Sequence, residues 1–265
     1  FPATMTKVLE ICNQPSTSPN ELNRIISLDP VLTGRVLKLV NSAFYSLGNE
    51  VTSLTRAIIL LGMNTVKNLA LSATVLESIG GKKAFHGLSM DEFWMHCLGV
   101  GVIARLLAGK TGTFAADREE YFVAGLLHDL GKIPLNRCYP EAYVQAVEAV
   151  RVQRLCLPEA ESACLGIDHC TVGAWICEKW RLHQRIADAI RHHHRPGGAP
   201  AVSGALVRAV ALANLCANRW EIGAAGDSAG DDGAVEQLAE ETGLLPEALA
   251  AVHDDTESEI EKARI

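Results

Sequence analysis

The sequence predicts an all-α fold, and three observations point to it. Aromatic residues make up only 5% of the 265-residue chain, whereas Ala, Leu and Val abound, which favours helices over strands. Apolar residues recur at three- and four-residue spacing. Ser, Asp, Asn, Pro and Gly stand where helices would begin and end. The length allows one large domain or two small ones.

The first 80 residues are predicted to form an N-terminal helical layer, with no strong strand signal. Pro30 suits the first position of a helix, with Asp29 as its cap, and Ser53 caps a later helix that Gly62 ends. This part carries no catalytic constellation, so a packing role is expected. Its helices are expected over residues 3–12, 20–28, 30–41, 53–61 and 64–79.

Residues 81–220 are predicted to form a second helical subdomain around the stretch 121–135. We expect Gly131 to take positive φ and close the central helix, and Pro134 to prevent its continuation. His128 and Asp129 would then lie in the last turn, where neighbouring helices can meet them. The helices are expected over 91–107, 117–129, 140–151, a short one from 158, 168–180, 183–192 and 200–219.

The C-terminal part is predicted to hold a linker and a short helical extension. Residues 223–233 are mostly Gly, Ala, Ser and Asp, so we expect a flexible linker with no side chains to pack. Residues 234–265 carry helical patterns over 234–241 and 246–263, and they are acidic.

Composition also excludes several classes of protein. A net charge of -7 disfavours nucleic acid as a partner. The eight cysteines include no Cys-x-x-Cys pair, so a zinc ribbon is excluded and reduced thiols in a cytoplasmic protein are expected. No apolar run reaches the ~18 residues of a membrane-spanning helix, and no signal-peptide pattern is present, so no membrane partner is expected.

Two stretches resemble the signature of HDOD domains, the HD-related output domains of bacterial signalling proteins. They are residues 28–45, with Asp29-Pro30 and Asn41-Ser42, and residues 53–62, ending in Leu61-Gly62. The resemblance continues to about residue 220 and covers most of the chain. It implies a multi-helix HD-like domain that passes a conformational change to a signalling partner.

The HD superfamily also suggests a metal site. Its ligand pattern, carried over residue by residue, falls on His96, the pair His128-Asp129, His169 and the pair His193-His194. Imidazole and carboxylate donors suit one or two iron, manganese, nickel, cobalt or zinc ions. Where the family has a final Asp, this chain has Asn214. We expect Asn214 as a neutral ligand that leaves the site with one negative charge fewer.

Two functions remain open from the sequence. The first is a non-catalytic regulatory module with a structural or sensory metal. The second is a metal-dependent phosphohydrolase acting on a nucleotide or other phosphoester, with Asp129 and Lys132 as catalytic residues and Lys132 holding the anionic phosphate ligand.

Four arginines near the histidines would be either a solvated basic face or an anion-attracting rim. No Gly-Tyr-Pro element follows His194, which disfavours cyclic-dinucleotide hydrolysis. The arginines are Arg181, Arg185, Arg191 and Arg195.

Overall fold

The computed structural model of this protein is all-α, as predicted. No strand occurs in the part of the chain that it describes: residues 7, 8, 10, 11, 14, 17–41, 45, 47, 50–79, 85–114, 117–227 and 232–263. The helix expected over residues 3–12 lies partly outside these residues. Within it, residues 7, 8, 10 and 11 are helical.

The N-terminal layer packs its own apolar core, in which Ile26, Val36, Ala57 and Val66 are fully buried. Asp29 caps its second helix by accepting hydrogen bonds from two backbone N–H groups of the first turn. Ser53 caps the third helix in the same way. The helices are α1 (Pro19–Ser27), α2 (Pro30–Val40), α3 (Leu54–Leu61) and α4 (Met63–Ile79).

The central helices surround a second core and position the predicted site. They are α5 (Met90–Lys110), α6 (Arg118–Leu127), α7 (Lys132–Cys138), α8 (Pro140–Gln153), α9 (Leu157–Leu165), α10 (His169–Trp180), α11 (Gln184–His192) and α12 (Gly204–Arg219). Helices α5 and α6 cross at Gly101 and Gly125. A Cβ on Gly125 would lie 2.8 Å from the Gly101 Cα atom, so only glycine permits this contact.

The junction between α6 and α7 differs from the prediction. Gly131 has φ -69°, so it does not take the left-handed conformation. It is required instead for close packing, because a Cβ there would lie 2.6 Å from the Gly173 backbone nitrogen and would also strike the His169 carbonyl. Pro134 does not stop the chain, since it lies in the first turn of the new helix α7. This junction brings α10 against the His128-Asp129 pair.

Two helices follow the central part, α13 (Asp232–Glu241) and α14 (Pro246–Ala263), and α14 packs on α5. The predicted flexible linker is wrong for residues 223–227. Ala225 is only 1% exposed, and the Ala224 N–H donates to the Glu92 carbonyl at 3.1 Å. Gly223, at φ 63°, lies so close to α5 that a Cβ would strike its backbone. Small residues let this segment pack through its backbone.

Helix α5 has the length and composition of a membrane-spanning segment, and it is the only described helix that does. Most of it is buried in the structure, against α6, α12 and α14. Its apolar character therefore matches its place as the central core helix.

Candidate metal centre

The structure brings together five histidines that the sequence places far apart. His96 lies on α5, His128 follows α6, His169 begins α10, and His193 and His194 follow α11. Neighbouring ring centroids are 5.4 Å apart for His96 and His128, 4.9 Å for His128 and His193, and 4.3 Å for His193 and His194. His96, His128 and His169 are fully buried and His193 is 3% exposed.

Backbone carbonyls fix the orientation of two of these rings. His128 Nδ1–H donates to the Gly125 carbonyl at 2.6 Å, and His193 Nδ1–H donates to the Ile190 carbonyl at 2.8 Å. Because a carbonyl only accepts, each Nδ1 atom carries a proton, so Nε2 is the ring nitrogen that can offer a lone pair to a metal once it is deprotonated. This arrangement is common among histidines that bind metals.

A carboxylate fixes His169 in the same way. Glu161 Oε2 accepts from His169 Nδ1–H at 2.6 Å and from the His169 backbone N–H at 2.8 Å. Glu161 is fully buried, and Asp168 caps α10 as predicted, accepting from Thr171 N–H at 2.7 Å. Glu161 was not predicted as a site residue, and in the sequence only its position on the helix preceding His169 hints at this role.

Asn214 lies beside His96, within the buried centre. Its Oδ1 accepts from His96 Nε2–H at 2.9 Å and from Asn218 Nδ2 at 3.3 Å. The amide oxygen therefore orients His96 in this structure, and the role of Asn214 as a ligand stays a prediction. His96 Nδ1 is left as a buried nitrogen with no hydrogen bond to any described residue.

Asp129 lies among the histidines with both carboxylate oxygens buried. Its Oδ2 atom is 3.2 Å from His128 Nε2, and its Oδ1 atom is 3.3 Å from His169 Nε2 and 3.6 Å from His193 Nε2. Oδ2 pairs with Lys132 at 2.7 Å, whereas Oδ1 makes no hydrogen bond of good geometry within the described part of the chain. Buried polar atoms are normally satisfied, so Asp129 Oδ1 and the free His128 Nε2 fit a bound cation.

Lys132 lies at the same point but does not face solvent. Its Nζ atom is fully buried, 2.7 Å from Asp129 Oδ2, and donates to Asp227 Oδ2 at 2.9 Å and to the Ala225 carbonyl at 3.0 Å. An ammonium group has three N–H donors, and these three oxygens occupy them. The predicted role of holding a substrate anion therefore does not fit this geometry.

Asp227 is the site residue that the sequence analysis missed altogether. Besides its ion pair with Lys132, its Oδ1 atom lies 3.7 Å from His194 Nε2. It follows the last central helix inside the glycine-rich segment 223–227. A single carboxylate in such a segment was the only sequence signal available, and nothing local links it to a histidine.

Burial and charge set the protonation of the site. Burial lowers the pKa of His96 to about 4. It also opposes protonation of His193, but the Cys170 thiol and the Asp129 carboxylate outweigh it and raise the pKa of His193 to about 9. Burial raises the pKa of Cys170, but His169 and His193 together lower it to about 7. The anionic groups on this side thus attract positive charge.

The donors fall into three sets in which the ligand atoms lie within 4.8 Å of one another. Nitrogen and oxygen donors of this kind, with their second ring nitrogens already fixed, fit a divalent transition metal. Asp129 belongs to two of the sets, and so does His194. They are His96, His128 and Asp129; His169, Cys170, His193 and His194; and Asp129, His194 and Asp227.

The surroundings of the centre limit access to it. The side chains of His194 and Asp227 are 17% and 7% exposed, and that of Asp129 is fully buried. Three of the nearby arginines pair with glutamates at the surface, which favours the solvated-face interpretation over a free anion-attracting rim. These pairs are Arg185 with Glu120, Arg191 with Glu178 and Arg195 with Glu159.

Comparison with known proteins shows which family the chain resembles. The chain is 28% identical over 221 residues to an uncharacterised protein of Treponema pallidum, and this match covers 81% of the chain but only 42% of the relative. Among solved structures, an HDOD domain protein of unknown function from Geobacter sulfurreducens superposes with a TM-score of 0.80 at 26% identity, covering 99% of this chain and 91% of that one.

Two further structures share the fold at lower identity. A Shewanella amazonensis protein provisionally described as a phosphohydrolase gives a TM-score of 0.77 at 24% identity, covering 99% of this chain and 93% of that one. A Marinobacter aquaeolei protein provisionally described as a signal transduction protein gives 0.77 at 22%, covering 99% and 57%. The model of the HDOD domain family matches residues 1–196. The chain therefore belongs to the HDOD domain family.

Proposed function

We propose that this protein is a regulatory HDOD module that holds a buried transition metal and acts through a signalling partner, without turning over a substrate. The observation that carries the proposal is the closed state of the centre. Lys132 joins Asp129 to Asp227 and Ala225, and His96, His128, Asp129 and His169 are all fully buried. In the described residues, solvent reaches the donors mainly at His194 and Asp227.

This geometry works against phosphoester chemistry. A phosphate approaching the centre would come close to Asp227 and, behind it, Asp129, and both are carboxylates. Phosphate sites normally offer cationic or N–H donors, yet Lys132 is engaged by these same two carboxylates. Three of the four nearby arginines, Arg185, Arg191 and Arg195, are likewise paired with glutamates.

A metal would instead join separate parts of the fold. His96, His128 and Asp129 would hold one ion and His169 and His193 would contribute to a second, and these residues come from α5, the α6–α7 junction, the start of α10 and the end of α11. When the ligands come from separate helices, the free energy of metal binding adds to the free energy that stabilises the folded state. The state of the centre would thus set how firmly these helices are held together.

The N-terminal layer offers a surface for the partner. Leu28, Val31 and Ile59 are 62%, 56% and 76% exposed, and Leu60 is 49% exposed. Large apolar side chains exposed together are typical of protein interaction sites. Leu28 and Val31 flank the junction of α1 and α2, and Ile59 and Leu60 lie in the last turn of α3, which packs against both helices. The metal ligands come from other helices, which supports separate places for metal and partner.

The test combines metal analysis with activity measurements. We expect purified protein to carry at least one equivalent of a transition metal and to show no turnover on a panel of nucleotides and phosphodiesters with added manganese or iron. His128→Ala should lose at least one equivalent of metal, while His86→Ala, with its exposed side chain, should bind as much metal as wild type. Metal-free wild-type protein after purification and reloading would contradict the proposal.

The alternative function is a metal-dependent phosphohydrolase, and the exposed corner at His194 and Asp227 favours it. In this alternative, a metal would polarise a phosphoryl group of the substrate, and Asp129 would hold the metal in place. Turnover in the same panel that is lost in a folded Asp129→Ala variant would support this alternative and overturn the non-catalytic module.

A further inference from the structure

We propose that the thiolate of Cys170 is a metal ligand, so that the side of the centre formed by His169, His193 and His194 offers a soft sulfur donor. This inference rests on the proposed metal centre and extends it to the chemical class of the metal. The proposed ligand set is three imidazoles and one thiolate.

Cys170 occupies a different environment from the other buried cysteines. Its Sγ atom lies 3.5 Å from His169 Nε2 and 4.0 Å from His193 Nδ1. In contrast, Cys97, Cys177 and Cys216 pack within apolar clusters of the core. Buried Cys usually behaves as a small hydrophobe, and those three cysteines follow that rule whereas Cys170 faces nitrogen atoms.

The fixed rings leave the required lone pairs beside the sulfur. Glu161 and the Ile190 carbonyl hold the Nδ1 protons of His169 and His193. The Nε2 atoms of these two rings, 3.4 Å apart, are therefore the ones available for a ligand. His194 Nε2 also lacks a hydrogen-bond partner within the described residues.

The separations of these atoms match a shared metal ion. Four donors arranged tetrahedrally at zinc–nitrogen and zinc–sulfur bond lengths lie about 3.3–3.6 Å from one another. His169 Nε2 is 3.4 Å from His193 Nε2 and 3.5 Å from Cys170 Sγ. The fourth residue, His194, has a donor within 4.8 Å of the others, so a small movement of that ring completes the set.

A thiolate changes which metals the centre prefers. Thiolate donors favour zinc and similar borderline or soft ions, whereas carboxylate and carbonyl donors suit manganese and magnesium. We therefore expect Cys170→Ser to lose zinc affinity while keeping most of its manganese affinity, because His169, His193 and His194 remain.

Cobalt substitution tests the sulfur ligand directly. Chelator-stripped full-length protein is titrated with Co²⁺, and the near-ultraviolet sulfur-to-cobalt charge-transfer band is recorded. We expect the band in wild type and in Cys177→Ser, whose sulfur lies on the same helix but in the apolar core. We expect Cys170→Ser to bind Co²⁺ without that band.

The outcomes separate the two proposals. Bound Co²⁺ with no charge-transfer band in wild type, or a band that persists in Cys170→Ser, would overturn the sulfur ligand and leave the metal centre standing. Failure of wild type to bind Co²⁺ or zinc at all would overturn both. Circular dichroism of each variant shows that a lost band does not come from unfolding.

Discussion

Lys132 and Asp227 lie 95 residues apart in the chain, yet their Nζ and Oδ2 atoms form a buried ion pair at 2.9 Å. Since Asp129 Oδ2 is 2.7 Å from the same Nζ atom, two carboxylates share one ammonium group as their counter-charge. Lys132→Met leaves both carboxylates buried without their counter-charge. We expect a loss of about 3–5 kcal/mol in the free energy of unfolding, measured by urea denaturation of metal-free protein.

The matched control is Lys110→Met at the exposed end of α5, which should leave the unfolding free energy nearly unchanged. A bound divalent metal should restore part of the stability of Lys132→Met, because it supplies positive charge beside Asp129. Wild-type stability in metal-free Lys132→Met would show that the two carboxylates do not depend on this lysine.

Asn214 Oδ1 accepts a hydrogen bond from His96 Nε2–H, and the charge of this acceptor affects how strongly the ring binds a metal. Asn214→Asp would replace a neutral acceptor by a carboxylate, which makes the ring a stronger donor. We expect metal affinity to rise by roughly tenfold, as for other partners of metal-bound histidines. Competition with a chelator measures it, with the exposed Asn64→Asp as the charge-matched control. Unchanged affinity would place His96 outside the ligand set.

Glu161 fixes the ring of His169 through two hydrogen bonds to one oxygen. Glu161→Gln keeps the shape but removes the charge, and the ring can then rotate or take the wrong tautomer. We expect metal affinity to fall by roughly 10–100-fold. Glu159→Gln, on the same helix but at the surface beside Arg195, should bind metal like wild type. Equal affinities for the two variants would contradict this role.

Metal binding should depend on pH through His193. Its pKa is raised from 6.5 to about 9, so the ring is protonated near neutral pH in metal-free protein, and the metal must displace that proton. Affinity is therefore expected to rise by at least about tenfold per pH unit while His193 is protonated, and less steeply above its pKa. Titrations between about pH 6 and pH 8 measure this. A flat profile would show that His193 is already neutral.

Gly131 permits the contact between α7 and α10 that places His169 near Asp129. Gly131→Ala would force a Cβ against the His169 carbonyl and within 2.6 Å of the Gly173 nitrogen. We expect a large drop in melting temperature together with loss of metal binding. Gly34→Ala is the control, because its Cβ would meet nothing within 4 Å, and it should raise helix stability by about 0.5–1 kcal/mol.

The sequence was informative where structure depends on nearby residues. The caps at Asp29, Ser53 and Asp168 follow from the side chain and the two or three residues after it. The prediction that the histidines lie together rested on the family resemblance, because no local sequence signal links His96 to His193. Contacts that join distant parts of the chain, such as Lys132 with Asp227, had no pattern to reveal them.

The roles of Asn214 and Gly131 could not be predicted from the sequence, for a related physical reason. The role of Asn214 depends on which nitrogen of His96 it meets, and this is set by the rotation of α12 against α5. Gly131 could serve either a left-handed turn or a close approach, and the sequence does not distinguish them. In each case the deciding contact belongs to a helix elsewhere in the chain.

The segment 223–227 also bears on how the protein can be cut for experiments. The family match ends at residue 196, but the acceptor of the His96 proton and the second carboxylate beside Lys132 both come later. A fragment that ends at residue 196 would keep the five histidines of the centre. It would lose Asn214, which orients His96, and Asp227, which pairs with Lys132. Weak metal loading of such a fragment would therefore reflect its missing end.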